Sequence, residues 1–283
     1  MMLSEIKKLV PRVMREPVGR AFREARDQYW RARFGRHASL VPPRDLMHDG
    51  PQSYQDFKRN GDEFLRHYIE LCGLQPDEHM LDVGSGIGRK TLPLVDYLSE
   101  RGSYDGLELV KSGVEWCRKK YTSRYPNFRF HLIDVYNDLY NREGKYQAAE
   151  YRFPFDDAQF DFVVLNSVFT HMLADEVENY LREVTRVLKP GGRCLISFFL
   201  LNEESIELIE RGESIVYLSE RNGPARTLPG HKPEFAVGFD EDYVIDLYER
   251  CGLEIKRPVL YGWWCGRRNF SSCQDQIVAF KKQ

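Results

Sequence analysis

The 283-residue chain carries 41 Lys and Arg against 43 Asp and Glu, a formal charge of −2. With 42% hydrophobic and 13% aromatic residues, it can form a core and is not expected to be disordered. No apolar run is long enough to predict a membrane span. The six cysteines are scattered and include no CxxC pair, so the sequence predicts neither a zinc site nor a disulfide framework. This cysteine usage favours a cytoplasmic location.

The near-neutral total conceals an uneven distribution of charge. Residues 1–44 hold 11 basic and 4 acidic residues, a net charge of +7, so the remainder carries −9. Apolar residues recur there at helical spacing, interrupted by Pro11 and Pro17. We therefore predict a basic helical extension over residues 1–52. Three roles are open to it: helices that cover the main domain, a contact with a membrane surface or protein, or a contact with nucleic acid.

From residue 53 onwards, strand and helix patterns alternate. The predicted elements are helices over 54–71, 89–100, 113–124 and 175–188, and strands over 79–84, 104–110, 128–134, 160–166 and 193–200. Such alternation forms right-handed βαβ units, and therefore a parallel sheet with helices on both faces. Residues 202–239 are rich in Pro and Gly towards their end, and we predict a lid or substrate insertion there.

A helix is predicted over residues 240–251, followed by strand patterns at 254–261 and 276–281. The connection between these two strands is too short for a crossover helix. We therefore expect them to pair antiparallel.

The strongest chemical signal is the sequence LDVGSGIGR at residues 81–89. A strand ends on Asp82, and glycines at positions 84, 86 and 88 allow the backbone to approach a ligand closely. The GxGxG spacing differs from the dinucleotide pattern GxGxxG, and the acid would repel a pyrophosphate but suits an ammonium. The turn therefore favours an aminoacyl-nucleoside, with a tight turn that binds no ligand as the alternative. Glu108 ends the next strand, where a carboxylate can accept both hydroxyls of a ribose.

The chain resembles the class I S-adenosylmethionine-dependent methyltransferases over residues 63–281. Four motifs carry the resemblance: LDVGSGIGR (81–89), LELVKSGVEWCRKKY (107–121), FPFDDAQFDFVVLNSVFTHM (153–172) and VLKPGGRCLISFF (187–199). It implies S-adenosylmethionine as cofactor and a methyltransferase domain over residues 53–283. The implied fold is α/β and doubly wound, a Rossmann-like sheet of seven mostly parallel strands with the last antiparallel.

The resemblance also implies roles for individual residues. The turn that holds the methionine portion of the cofactor would comprise Asp82, Gly84, Ser85, Gly86 and Gly88. Glu108 would bind the ribose hydroxyls, Asp134 and Val135 would lie beside the adenine, and Asn166 would face the amino group of the cofactor or the acceptor. Residues 136–152 form an insertion absent from many relatives. It is either a surface insertion or a substrate-facing loop, in which case Tyr136 and Tyr140 are candidate acceptor contacts.

Methyl transfer requires a nucleophile aligned with the methyl group, and a neutral hydroxyl also requires a base. His171 follows the fourth strand, and its unperturbed pKa of about 6.5 suits a catalytic base. The alternative is a structural histidine at a helix start. His231 is a further candidate acceptor contact. Arg89 and Lys90 would contact an anionic acceptor or the cofactor carboxylate, or would be solvated.

The acceptor is predicted from two features. The fourth strand ends in NSVF (166–169), whereas family members that methylate bases or glutamine often have an Asn-Pro-Pro-Tyr turn there. The acidic body also disfavours nucleic acid. We expect a small-molecule, sugar- or lipid-linked acceptor, methylated on oxygen rather than nitrogen. The alternatives are a macromolecule- or membrane-directed enzyme docked through residues 1–44, and a non-catalytic cofactor-binding module.

Overall fold

The computed structural model describes residues 24–25, 28–30, 32–47, 50 and 53–282. Its strands are β1 (His79–Val83), β2 (Ser103–Glu108), β3 (Phe128–Leu132), β4 (Phe160–Leu165), β5 (Leu188–Phe198), β6 (Leu200–Leu201), β7 (Glu220–Asn222), β8 (Ala225–Thr227), β9 (Val237–Asp240), β10 (Leu253–Ile255) and β11 (Asp275–Lys281). Its α-helices are α1 (Tyr54–Glu70), α2 (Thr91–Leu94), α3 (Lys111–Cys117), α4 (Ala174–Val187), α5 (Glu203–Glu210) and α6 (Glu241–Arg250).

Seven strands form the main sheet in the order β10-β11-β5-β4-β1-β2-β3. Strands β1 to β5 pair in parallel, and β11 runs antiparallel to both β5 and β10. The prediction of a doubly wound, mostly parallel sheet with an antiparallel last strand is therefore confirmed. Strands β1, β2 and β4 are buried along nearly their whole length, as expected for a parallel sheet covered on both faces.

Three helix boundaries differ from the predictions. The helix predicted over 89–100 is only α2, because the chain tightens after Leu94 into a turn closed by the bond from Tyr97 N to Leu94 O. The helix predicted over 113–124 begins at Lys111 and ends as α3, and a π-helical turn follows it. Helix α4 is capped before Asp175: the Glu176 carboxylate accepts the Leu173 N–H at 2.7 Å, which satisfies an N-terminal donor of the helix.

The segment predicted as a lid or insertion, residues 202–239, contains regular structure. Helix α5 and strands β7, β8 and β9 lie in it, and the three strands join β6 in a second sheet of order β6-β9-β8-β7. Strands β7 and β8 form an antiparallel hairpin where the composition indicated a loop. Gly223 adopts a φ of +57° in the turn between them, a conformation that glycine tolerates best. A role as a lid stays a prediction.

The described part of the N-terminal extension packs against the main domain. Leu40 and Val41 are completely buried, and the Tyr121 hydroxyl lies 3.1 Å from the Leu40 carbonyl oxygen. This agrees with a segment that covers the domain. Residues 1–23 lie outside the described residues, and so does most of the region predicted to dock on a membrane, a protein or nucleic acid. No helix in the described portion is long and apolar enough to cross a membrane.

Asp275 connects the C-terminal strands to the second sheet. It begins β11 and is completely buried. One carboxylate oxygen accepts the Leu200 N–H and the Trp264 indole N–H at 2.7 Å each. The other accepts the Gly262 N–H at 2.7 Å and the Arg267 guanidinium at 3.1 Å. A buried carboxylate needs hydrogen-bond donors, and three of its four come from the connection between β10 and β11, so Asp275 holds that connection in place.

Candidate functional site

A cavity of about 340 Å³ opens at the carboxyl ends of the parallel strands. The residues after β1, β2, β3 and β4 all contribute to its wall, among them Gly84, Glu108, Val135 and Asn166. In open α/β sheets, ligands bind at this edge because the loops that follow the parallel strands converge there.

The glycine turn after β1 forms the base of the cavity. Gly84, Gly86 and Gly88 have φ values of +74°, +61° and +92°, which residues other than glycine rarely adopt. A Cβ on Gly84 would lie 2.6 Å from Val168 Cγ2. Gly84 and Gly86 line the cavity, whereas Gly88 lies behind it, against Tyr121. The Ser85 side chain is also turned away, because its Oγ is packed against Gly106 of β2.

Asp82 does not reach the cavity wall. It is completely buried, and one carboxylate oxygen accepts a hydrogen bond from the Lys90 ammonium at 2.7 Å. The other accepts the Tyr104 hydroxyl at 2.8 Å. The sequence indicated a carboxylate available to a ligand ammonium. The structure instead pairs it with a lysine of the same chain.

Glu108 is held rigidly at the cavity wall. One of its carboxylate oxygens accepts the Gly86 N–H at 2.7 Å, and the other accepts the N–H groups of Leu109 and Val110 at 2.8 Å each. The residue is 7% exposed and lines the cavity. The oxygen bound to Gly86 has a second lone pair, so the carboxylate can accept a hydroxyl without losing its backbone bonds.

The residues after β3 and β4 differ in their access to the cavity. Val135 is buried and lines it, together with Ile133. Asp134 does not line it; its side chain is 45% exposed and lies 3.7 Å from the Lys145 ammonium. Asn166 lines the cavity and donates its side-chain N–H to the Tyr68 hydroxyl at 3.1 Å.

The insertion at 136–152 folds back towards the cavity. The Tyr136 N–H donates to the Tyr146 carbonyl at 2.8 Å, which closes the loop onto itself. Tyr136, Asn137 and Tyr140 line the cavity as a result. Of the two interpretations of this insertion, the geometry agrees with a loop that faces the cavity.

His171 lines the cavity from the 3₁₀ turn Phe169–His171. Its Nδ1 lies 3.1 Å from the Glu234 carbonyl oxygen, and burial lowers the pKa of its imidazole. A carbonyl oxygen can only accept, so Nδ1 carries the proton and Nε2 has the free lone pair. His231 is exposed and does not line the cavity; its Nδ1 bonds to the Pro229 carbonyl at 2.9 Å.

Several cavity residues escaped the sequence analysis. Glu176 and Tyr180 are one helical turn apart on α4 and both face the cavity, as does Met172 before the helix. Burial raises the pKa of Glu176. The only local signal was the position of Glu176 three residues after the helix cap. Phe64 of α1 and Gly50 also line the cavity, and no sequence pattern indicated either of them.

Comparisons with known proteins give a consistent assignment. Residues 81–196 match a family model described as a methyltransferase domain. An O-methyltransferase of Penicillium expansum is 28% identical over 154 residues, covering 53% of this chain and 48% of that protein. A phthiotriol/phenolphthiotriol dimycocerosates methyltransferase of Mycobacterium tuberculosis is 34% identical over 124 residues (44% and 37%). Human arsenite methyltransferase is 30% identical over 138 residues (47% and 34%). The chain spans less than half the length of each of these relatives.

Two solved structures share the fold. A SAM-dependent methyltransferase of Methanosarcina mazei superposes with a TM-score of 0.51 at 21% identity, over 76% of this chain and 97% of that one. A protein of Pyrococcus horikoshii gives 0.54 at 16% identity, over 84% and 95%. At these identities the likeness concerns the fold, an α/β sheet of mostly parallel strands. Over residues 81–196 the chain is therefore similar to a methyltransferase domain, the class of domain for which the sequence leads us to expect S-adenosylmethionine as cofactor.

The residues present fit this cofactor. Gly84 and Gly86 line the cavity and carry no side chain, so their backbone is accessible to a ligand. Glu108 presents a carboxylate with acceptor capacity to spare. Apolar side chains suited to a purine ring, Ile133 and Val135, stand on the cavity wall.

Proposed function

We propose that the protein transfers the methyl group of S-adenosylmethionine to a hydroxyl oxygen of a small-molecule, sugar- or lipid-linked acceptor, with His171 as the general base. The observation that carries this proposal is the His171 imidazole on the cavity wall, whose Nδ1 lies 3.1 Å from the Glu234 carbonyl oxygen, which leaves Nε2 as the acceptor nitrogen of the neutral ring. A hydroxyl acceptor loses its proton as it is methylated, and a neutral imidazole can accept that proton.

The cofactor contacts follow from which residues reach the cavity. Bound S-adenosylmethionine supplies an electrophilic methyl group on its sulfonium. In this proposal the backbone at Gly84 and Gly86 lies against the methionine portion, and Glu108 accepts the ribose hydroxyls. Val135 packs beside the adenine, and Asn166 faces the cofactor. The four other predicted contacts act from behind the cavity wall, by shaping the turn or the backbone: Asp82, Ser85, Gly88 and Asp134.

The tautomer of His171 is set by its neighbour. The Glu234 carbonyl holds the proton on Nδ1, so Nε2 is the acceptor. Burial lowers the pKa of the imidazole below its usual value of 6.5, so the base is neutral at pH 7. The remaining cavity side chains, such as Tyr136, Tyr140 and Met172, offer aromatic and apolar contact to an organic acceptor. The name of the Penicillium relative supports methylation on oxygen.

The test is His171→Gln in a methylation screen over hydroxylated and aminated metabolites. We expect hydroxylated compounds to be methylated by the wild type, and the variant to lose about 10²- to 10⁴-fold in kcat/KM. In the wild type, kcat/KM should fall with decreasing pH with a midpoint below 6.5, because protonation removes the base. The variant should lack this acidic limb.

His231→Gln is the matched control, because its imidazole lies outside the cavity. It should leave kcat/KM within about twofold of the wild type, a difference of less than about 0.5 kcal/mol. Calorimetry should show unchanged cofactor affinity in both variants. An undiminished methylation rate in His171→Gln would remove His171 as the base, and methylation of amines alone would overturn the hydroxyl acceptor.

A further inference from the structure

Lys90 is almost completely buried, at 5% exposure, and yet it lines the cavity. Its ammonium donates to the Asp82 carboxylate at 2.7 Å and to the Gly84 carbonyl at 2.8 Å. A lysine ammonium has three N–H donors, and the described part of the chain supplies no third partner. One donor therefore remains for a group inside the cavity, beside the glycine turn.

Because Asp82 pairs with Lys90, the glycine turn does not offer a carboxylate to the amino group of a bound amino acid. Asp82 is completely buried and does not line the cavity, and its two oxygens are bonded to Lys90 and Tyr104. A ligand ammonium therefore finds no open carboxylate there. It would also lie next to the positive charge of Lys90, which is unfavourable at such a short distance.

The cavity has few cations to receive a carboxylate. Besides His171, whose imidazole pKa is lowered by burial, the basic side chains lining its described part are Lys90 and Arg89. The Arg89 guanidinium lies over the Phe57 ring of α1, 5.7 Å from the ring centroid. Of the two, Lys90 is the one whose ammonium bonds to the glycine turn, through the Gly84 carbonyl.

We propose that Lys90 binds the carboxylate of the methionine portion of the cofactor, and that Asp82 serves to hold the Lys90 ammonium in place. The inference rests on the cofactor-site part of the proposed function and not on the acceptor or on His171. It assigns Lys90 as a specificity-determining residue: ligands with the amino-acid carboxylate bind, and otherwise identical nucleosides without it bind more weakly.

The test uses two stable probes and the purified full chain. One is S-adenosylhomocysteine; the other is its decarboxylated counterpart, adenosine with a 5′-(3-aminopropyl)thio group. Calorimetry gives the ratio of their dissociation constants. We expect the wild type to prefer S-adenosylhomocysteine by about tenfold or more, the size expected for a hydrogen bond between charged groups.

Lys90→Met alone would leave the Asp82 carboxylate buried without its cation, which destabilises the fold. The informative variant is therefore Lys90→Met combined with Asp82→Asn, which removes both charges. It should bind S-adenosylhomocysteine about tenfold more weakly and the decarboxylated probe within about threefold of the wild type. Asp82→Asn alone retains the ammonium and frees it from its carboxylate, so the preference should be kept or increased.

Lys111→Met is the matched control, because its side chain is 75% exposed at the start of α3. It should leave the ratio unchanged. The inference is overturned if the double variant keeps the wild-type preference, if it loses affinity for both probes equally, or if Asp82→Asn abolishes the preference. A wild type that binds neither probe would overturn the cofactor site of the proposed function as well, which distinguishes the two failures.

Discussion

Gly88 sits where three segments of the chain meet. Its φ is +92°, and a Cβ on it would lie 2.8 Å from the Tyr121 ring. The Tyr121 hydroxyl lies 3.1 Å from the carbonyl oxygens of both Gly88 and Leu40, so the tyrosine links the glycine turn to the N-terminal segment. The third glycine of the motif therefore serves packing, although its sequence context is that of a ligand-binding turn.

Replacing Gly88 by Ala should combine two costs, whereas Gly191→Ala should have only one. Gly191 also has a positive φ, +74°, but a Cβ added there would meet no described atom within 4 Å. We expect Gly191→Ala to lower the free energy of unfolding by about 1–2 kcal/mol. Gly88→Ala should lose about 1–3 kcal/mol more, because the methyl overpacks against Tyr121. Urea unfolding of both variants measures the difference, and equal losses would contradict the packing role.

Among the elements, an ion pair joins two segments that are distant in sequence. The loop after β3 carries Asp138, whose carboxylate accepts a hydrogen bond from the Lys232 ammonium. This ion pair lowers the pKa of Asp138. Two residues after Lys232, the Glu234 carbonyl holds His171. The segment before β9, which contains Lys232 and Glu234, is therefore bonded both to the loop 136–152 and to the proposed base His171.

Lys232→Gln should affect the acceptor more than stability. The Lys232 side chain is 64% exposed, so its ion pair should contribute less than about 1 kcal/mol to the free energy of unfolding. Loosening the loop that carries Tyr136 and Tyr140 should raise the acceptor KM by up to about tenfold, or about 1.4 kcal/mol, with unchanged cofactor affinity.

Lys145→Gln is the control for Lys232→Gln. The Lys145 side chain is 79% exposed and pairs with Asp134. It therefore belongs to the loop 136–152 but does not take part in the ion pair with the segment before β9. Steady-state kinetics should show no change in its acceptor KM. An equal rise in both variants would mean that the tie between the two segments is not the cause.

Across the molecule as a whole, Asp275 joins the main sheet to the second sheet and to the C-terminal connection. Asp275→Asn replaces one carboxylate oxygen by an NH2 group that cannot accept, so two of the four buried donors lose their acceptor, and the free energy of unfolding should fall by about 3 kcal/mol or more. Asp246→Asn removes a surface pair with Arg250, in which Asp246 is 63% exposed, and should cost less than about 0.5 kcal/mol. Guanidinium unfolding of the two variants tests this, and losses of similar size would refute the role of Asp275.

Local sequence patterns were enough to predict the class of fold, which the structure confirms, and they indicated the edge of the sheet at which the candidate site lies. These patterns are the alternation of strands and helices and the spacing of glycines after β1. The antiparallel pairing of β10 and β11 is confirmed, but the strand predicted over 254–261 ends at Ile255, so the connection to β11 is longer than the prediction assumed. Element ends were less predictable, because side chains from other segments decide where a helix stops. The Glu176 carboxylate bonded to Leu173 is one example.

Which side chains share the cavity emerged only from the folded chain. Asp82 and Lys90 are eight positions apart, and the spacing did not show that their charges pair in the core and leave the lysine at the cavity wall. Likewise, His231 points away while His171 meets the Glu234 carbonyl 63 positions later in the chain. Periodicity reports which face of an element is buried, but it does not report which distant group that face meets. Packing between segments sets those partners, and with them the chemistry of the site.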